Sequence, residues 1–312
     1  MPMERKILAA VDGTVFSFNA LRYLGQLFTD LDDIAVHLLY VVPSPPPPID
    51  EQWIDEGDRL LCLPPEVRAR YNKAKRFMEE AVLQLGRRGI EAQQVSWQVQ
   101  LSRTGVAADI IHEAKKGLYD ALLIGRRGIG AIEEIIGGSL SNTAAKHSHV
   151  LPIWIVDGKV NARKFLLPVD TSYNSLKAAD HLGFILQGNP YTEICLLHLS
   201  TLVGGNTKPD WSELETLWGK EWCDEHLRRP DSVFHGPKQM LLERGISEKK
   251  IYQHHDEYCF SAHKPIIQHS VIDQCGTIVI GCRSKTKVKG IFSGVSEKVL
   301  NLARGVAIWI VG

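Results

Sequence analysis

The chain has 312 residues, 44% hydrophobic and 23% charged, with Lys plus Arg and Asp plus Glu each totalling 36. This balance lacks the basic excess of a nucleic-acid-binding protein, and no apolar run approaches the roughly 18 residues of a membrane helix, so neither partner is expected. The length suggests two domains. Six scattered cysteines without a C-x-x-C pair, behind an N-terminal apolar stretch too short for a signal peptide, point to reduced thiols in a cytoplasm.

In chain order, the first strand signal is KILAAVD at 6–12, a nearly continuous apolar run of the kind buried on both faces of a parallel sheet. A helical period follows over 16–28, then a second strand at 36–42 (VHLLYVV). The prolines at 43–48 lead into a polar stretch with Trp53 and read as a rigid surface loop in preference to a partner-binding polyproline segment. Helical spacing returns at 73–87, where Phe77, Ala81, Val82 and Leu85 share a face. A strand around 92–99, a helix over 104–116 and a strand at 121–125 (ALLIG) come next. A glycine-containing loop then leads to a helix start near Ser139 and a last strand at 153–156 (IWIV).

The series then recurs: strand 164–170 (KFLLPVD), helix 174–186, strand 194–200 (ICLLHLS), strand 251–255, helix 265–273, strand 277–281 (TIVIG) and strand 308–311 (IWIV). Asp12 and Asp170 lie 158 positions apart, Gly125 and Gly281 156, and Trp154 and Trp309 155. Four collinear matches with so little drift indicate a duplication, with domains at 1–158 and 159–312. Alternating β and α implies right-handed crossovers, hence an α/β fold of two tandem doubly wound, flavodoxin-like (Rossmann-like) parallel-sheet domains. The second copy carries its own insertion at 201–209, followed by a helix whose Trp211, Trp218 and Trp222 are expected in the core or at an interface.

The segment richest in chemistry runs from Gly125 to Asn142, GRRGIGAIEEIIGGSLSN. It leaves the C-terminal end of a buried strand, where open α/β sheets bind ligands. Gly125 and Gly128 allow close approach of backbone to a ligand, or a positive φ. Gly138 and Ser139 open a helix whose free N–H groups and positive dipole end suit phosphate. Arg126 and Arg127 are candidates to neutralise phosphate, one of them expected to be merely solvated; Glu133 and Glu134 would repel it.

Written as a pattern, the segment is G-x2-G-x9-G-S. Here the chain resembles the universal stress protein family, whose ATP-binding members carry G-x2-G-x9-G-[S/T]. The resemblance extends to the first strand end Val11-Asp12-Gly13-Thr14, to Leu39-Tyr40-Val41, and to the closing strand, and it spans the chain twice. It implies an adenosine pocket at Ala10, Asp12 and Val41, with Gly125, Arg127, Gly128, Gly138, Ser139, Leu140 and Ser141 around ribose and phosphates. It also implies ATP, with or without magnesium, as the ligand, AMP and ADP staying open. An internal pseudo-dimer of the halves through their last strands is expected, and a homodimer stays open. Asp12 has a second reading, the capping of the following helix.

The second loop departs from the pattern. Ser284 replaces the second glycine and Val295 follows Gly294 where Ser or Thr is required; counted back from the last strand this copy is one residue shorter, so Ser293-Gly294 equally overlies Gly138-Ser139 in reversed order, and Asp170 survives. Arg283, Lys285, Lys287 and Lys289 make a basic cluster expected to be solvated. There is no P-loop and no G-x-G-x-x-G turn at a first strand. The His- and Cys-bearing stretch 226–275 shows no close ligand pair, so no metal site is expected there. The reading is an ATP-binding stress-response protein that regulates through nucleotide occupancy. The rivals are a weak ATPase or nucleotide-using enzyme, without the S-G-G-x-D-S or H-I-G-H segments such enzymes carry, and a nucleotide-independent interaction protein.

Overall fold

The computed structural model describes residues 4–45, 56–126, 151–201, 210–259, 261–282 and 294–312. The chain divides into two compact units, Met1–Lys159 and Val160–Gly312.

In the first unit, β1 (Arg5–Ala10) leads to α1 (Val15–Leu27) and β2 (Ile34–Val42). After the proline segment come α2 (Glu56–Cys62), which has no strong periodic signal, and the long α3 (Pro65–Gly86). Pro65 occupies the first turn of α3, where its missing N–H costs nothing. A short 3-10 turn at Ala92–Gln94 displaces β3 (Val95–Leu101) toward the C-terminus of the expected strand. Then follow α4 (Val106–Lys116), β4 (Ala121–Gly125) and β5 (Ile153–Val156). All pairings are parallel and the order is β3-β2-β1-β4-β5, so strand order reverses between β1 and β4. Every residue of β4 and β5 is buried, which explains their unbroken apolar sequences.

The second unit comprises β6 (Lys164–Val169), α5 (Tyr173–Leu186), β7 (Glu193–Thr201), α6 (Trp211–Trp218), α7 (Lys220–His226), α8 (Ser232–Glu243), β8 (Ile251–Cys259), α9 (His263–Ile272), β9 (Thr277–Gly281), α10 (Val295–Leu302) and β10 (Ala307–Val311). Its strands are also parallel, in the order β8-β7-β6-β9-β10. The flavodoxin-like fold class therefore holds in each unit. Trp154 and Trp309, the matched tryptophans of the last strands, are both fully buried.

The tryptophan-rich segment differs from expectation. Gly219, at φ +84°, breaks it into two short helices. Trp211, Trp218 and Trp222 are half-buried, not core residues. Their rings meet in a tilted chain: Tyr173 with Trp218 at 5.6 Å, Trp218 with Trp222 at 6.3 Å and Trp222 with His226 at 5.0 Å.

Candidate functional site

The C-terminal ends of β1, β2 and β4 lie side by side in the first unit. Ala10 pairs with Leu39 on β2 and with Ile124 on β4, so Asp12, Val41 and Gly125 border the reversal point of the sheet. Crevices at such reversal points are where open α/β sheets take ligands. Ala10 and Val41, at that corner, are both buried.

Asp12 is held by its own turn. One carboxylate oxygen, Oδ1, accepts from Thr14 N–H at 3.0 Å, from the Thr14 hydroxyl at 2.7 Å and from the Ser17 hydroxyl at 2.6 Å. Ser17, almost fully buried, accepts in return from the Asp12 backbone N–H at 2.9 Å. These bonds close the turn before α1 and hold the Ser17 hydroxyl, but none comes from a backbone N–H of the helix, so the expected cap is not made, and one oxygen takes all three. Oδ2 makes no hydrogen bond among the described residues and remains a charged acceptor beside the crevice.

Tyr40 completes the corner. Its hydroxyl donates to the Asp12 carbonyl at 2.8 Å, and its ring meets Phe77 edge-on at 6.1 Å, with Phe18 on the far side of Phe77 at 5.0 Å. Burial, and secondly the Asp12 charge, push the Tyr40 phenol above its usual range, so it stays a neutral donor.

Gly125 carries a packing constraint that the sequence did not show. A Cβ there would lie 2.8 Å from both the carbonyl carbon and oxygen of Phe16, in the first turn of α1. The glycine accommodates helix backbone, with no positive φ. Arg126 also departs from expectation: its backbone N–H donates to Val156 at 2.9 Å, and its largely buried guanidinium turns to Asp157 at 3.5 Å instead of being free for phosphate. Arg127, Gly128, Gly138, Ser139, Leu140 and Ser141 lie outside the described residues.

Sequence reasoning missed the neighbouring rim. Asp109 on α4 is buried and ties up the loop after β3, accepting from the Ser102 hydroxyl at 2.9 Å, Arg103 N–H at 2.8 Å, Thr104 N–H at 3.1 Å and the Thr104 hydroxyl at 2.7 Å. Burial works against its charge, and these four donors outweigh it, holding the carboxyl below its ordinary value. Arg59 on α2 and Ser44 both donate to the Ser102 carbonyl at 2.9 Å, joining the segment after β2 to the one after β3. The signal was there in S-x-T-x4-D, a turn whose hydroxyl and N–H donors converge on one carboxylate of the next helix.

The matching corner of the second unit keeps part of this plan. Asp170 Oδ1 accepts from Ser172 N–H at 2.9 Å, and Ser175 Oγ accepts from the Asp170 N–H at 3.1 Å. Ser172 instead caps α5, accepting from Ser175 N–H at 3.3 Å, so Asp170 has one donor where Asp12 has three. His198 stands where Tyr40 stands, and its Nδ1–H donates to the Val169 carbonyl at 2.9 Å. Trp211 and Leu214 of α6, with Leu227, line a small recess together with Asp170 and Thr171.

The sequence profile of the universal stress protein family matches residues 3–157. A universal stress protein from Archaeoglobus fulgidus DSM 4304 is similar in structure, with TM-score 0.61 and 18% identity, over 99% of this chain and 96% of that one. A functionally unknown protein from Pseudomonas aeruginosa PAO1 is similar with TM-score 0.51 and 14% identity, over 99% and 92%. No curated protein matches the chain. At these identities the two structures establish the fold.

Proposed function

From this chain's membership of the universal stress protein family, carried by residues 3–157, we propose that its first unit binds ATP and that occupancy, not turnover, regulates the protein in a stress response. The observation that carries the reading is Asp12: three donors fix its Oδ1, while Oδ2, beside the reversal point of the sheet, has no hydrogen bond among the described residues. A carboxylate so oriented suits a ribose hydroxyl, or a magnesium ion held by phosphates, because its direction is set before the ligand arrives. Ala10 and Val41 supply the apolar walls. Gly125, Arg127, Gly128, Gly138, Ser139, Leu140 and Ser141 would hold ribose and phosphates, a role that rests on G-x2-G-x9-G-S in the sequence.

The residues present fit an adenine nucleotide, whose phosphates supply the negative charge that the loop's backbone N–H groups would take up. The test is mass analysis of nucleotide released from denatured, freshly purified protein, followed by calorimetric titration of the stripped protein. Co-purifying ATP, ADP or AMP with stoichiometric rebinding is expected. Failure to recover or rebind any adenine nucleotide overturns the reading in favour of a nucleotide-independent interaction protein. Steady-state hydrolysis well above background favours an enzyme.

A further inference from the structure

The second unit holds a cluster of metal-ligating side chains that its sequence spacing conceals. Cys195 lies on β7, His254 on β8 and Asp273 just beyond α9, and one ligand atom from each lies within 4.8 Å of the other two. The register explains the meeting. Cys195 pairs with Tyr252 and Leu197 with His254, so Cys195 and His254 project from the same face of the parallel sheet. That is the face covered by α9, as the His254–His269 ring contact at 5.6 Å shows.

The side chains have the character of a site. The Cys195 residue is 1% exposed, and its thiol makes no hydrogen bond among the described residues. His254 is exposed and its ring nitrogens likewise make no hydrogen bond there, giving an ion a way in from solvent. Asp273 is oriented: His269 Nδ1 meets its Oδ2 at 3.1 Å, while His269 Nε2 meets Asp256 Oδ2 at 2.9 Å. A carboxylate positioned by an imidazole that a second carboxylate anchors is an outer-shell arrangement of the sort that directs metal ligands.

We propose that Cys195, His254 and Asp273 form a site for a borderline divalent cation of the zinc type. A thiolate, an imidazole and a carboxylate suit such an ion better than the all-oxygen sets of calcium or magnesium. A tetrahedral zinc with bonds of about 2.0–2.3 Å holds its ligand atoms about 3.3–3.8 Å apart, so closing the cluster requires movements of about an ångström. One thiolate and one carboxylate neutralise the ion, and water takes the fourth position. The ion would tie β7 and β8 to the end of α9.

The experiment titrates chelator-treated, reduced full-length protein with Co2+ and then with Zn2+, without nucleotide. One equivalent of Co2+ is expected to give a thiolate-to-cobalt charge-transfer band that Zn2+ abolishes. Losing an outer partner costs about 10–100-fold in metal affinity, so H269Q should weaken binding by that factor and H254Q by at least as much. C195S should remove the band, whereas C275S and C62S should keep it. H254Q alters an exposed side chain, so it tests the site even if C195S does not fold. Absence of a band in the wild-type protein, a band that persists in folded C195S, or unchanged affinity in H254Q overturns the assignment.

Discussion

Gly125 stands directly against the backbone of Phe16: a Cβ at that position would lie 2.8 Å from the Phe16 carbonyl oxygen. The second unit repeats the relationship, with a Cβ on Gly281 colliding with the Asn174 carbonyl oxygen. In each unit the strand at the reversal point runs into the first turn of the first helix. Backbone cannot retreat as a side-chain tip can, so Gly125→Ala and Gly281→Ala should each cost about 1–3 kcal/mol, the usual range for overpacking. Urea unfolding decides this; a midpoint unchanged in both variants means the helix has room to shift.

Asp12→Asn separates the two uses of the carboxylate. The amide oxygen can still accept from Thr14 and Ser17, so stability should change by less than about 1 kcal/mol. The other oxygen becomes an amide nitrogen that neither accepts nor carries charge. Losing one charge-assisted bond costs about 1.5–3 kcal/mol, so ATP affinity should fall about ten- to a hundred-fold. Calorimetry beside thermal unfolding tests it. A large loss of stability with unchanged affinity would make Asp12 a turn residue only.

Asp109 predicts an acid-sensitive rim. Its folded carboxyl is held below the ordinary aspartate value of about 3.9. A depressed folded pKa adds stability above the unfolded value, and that stability is lost as pH falls from there through the lower folded value. Asp109→Asn turns an NH2 group toward two of these four donors and leaves them without an acceptor, which should cost about 1–3 kcal/mol at neutral pH. The difference from wild type should shrink as the pH drops below about 4. A difference that is constant from pH 7 to pH 3 would remove the carboxylate's charge from the explanation.

The strands were legible because burial on both faces leaves little room for polar residues, as in ALLIG at Ala121–Gly125 and IWIV at Ile153–Val156. Asp12 was legible for its place after β1. Its network was not, because the bonds depend on Thr14 turning its hydroxyl back instead of capping α1, while Ser172 in the same position caps α5. The packing of Gly125 against Phe16 was not legible, since sequence does not say which backbone approaches a glycine. Cys195, His254 and Asp273 escaped notice because parallel register, not spacing, brings them together.

The sharpest prediction is one nucleotide per chain, bound by the first unit. The first loop keeps Gly128 and Ser139, while the second has Ser284 and Val295 in their places. A glycine pressed against phosphate cannot gain a side chain cheaply, and Val295 offers no hydroxyl. Gly128→Val should abolish binding, and Ser284→Ala should leave it unchanged. Calorimetry with ATP on the full chain should give a stoichiometry near one. A value near two, or binding that survives Gly128→Val, would mean that the second loop works despite its substitutions.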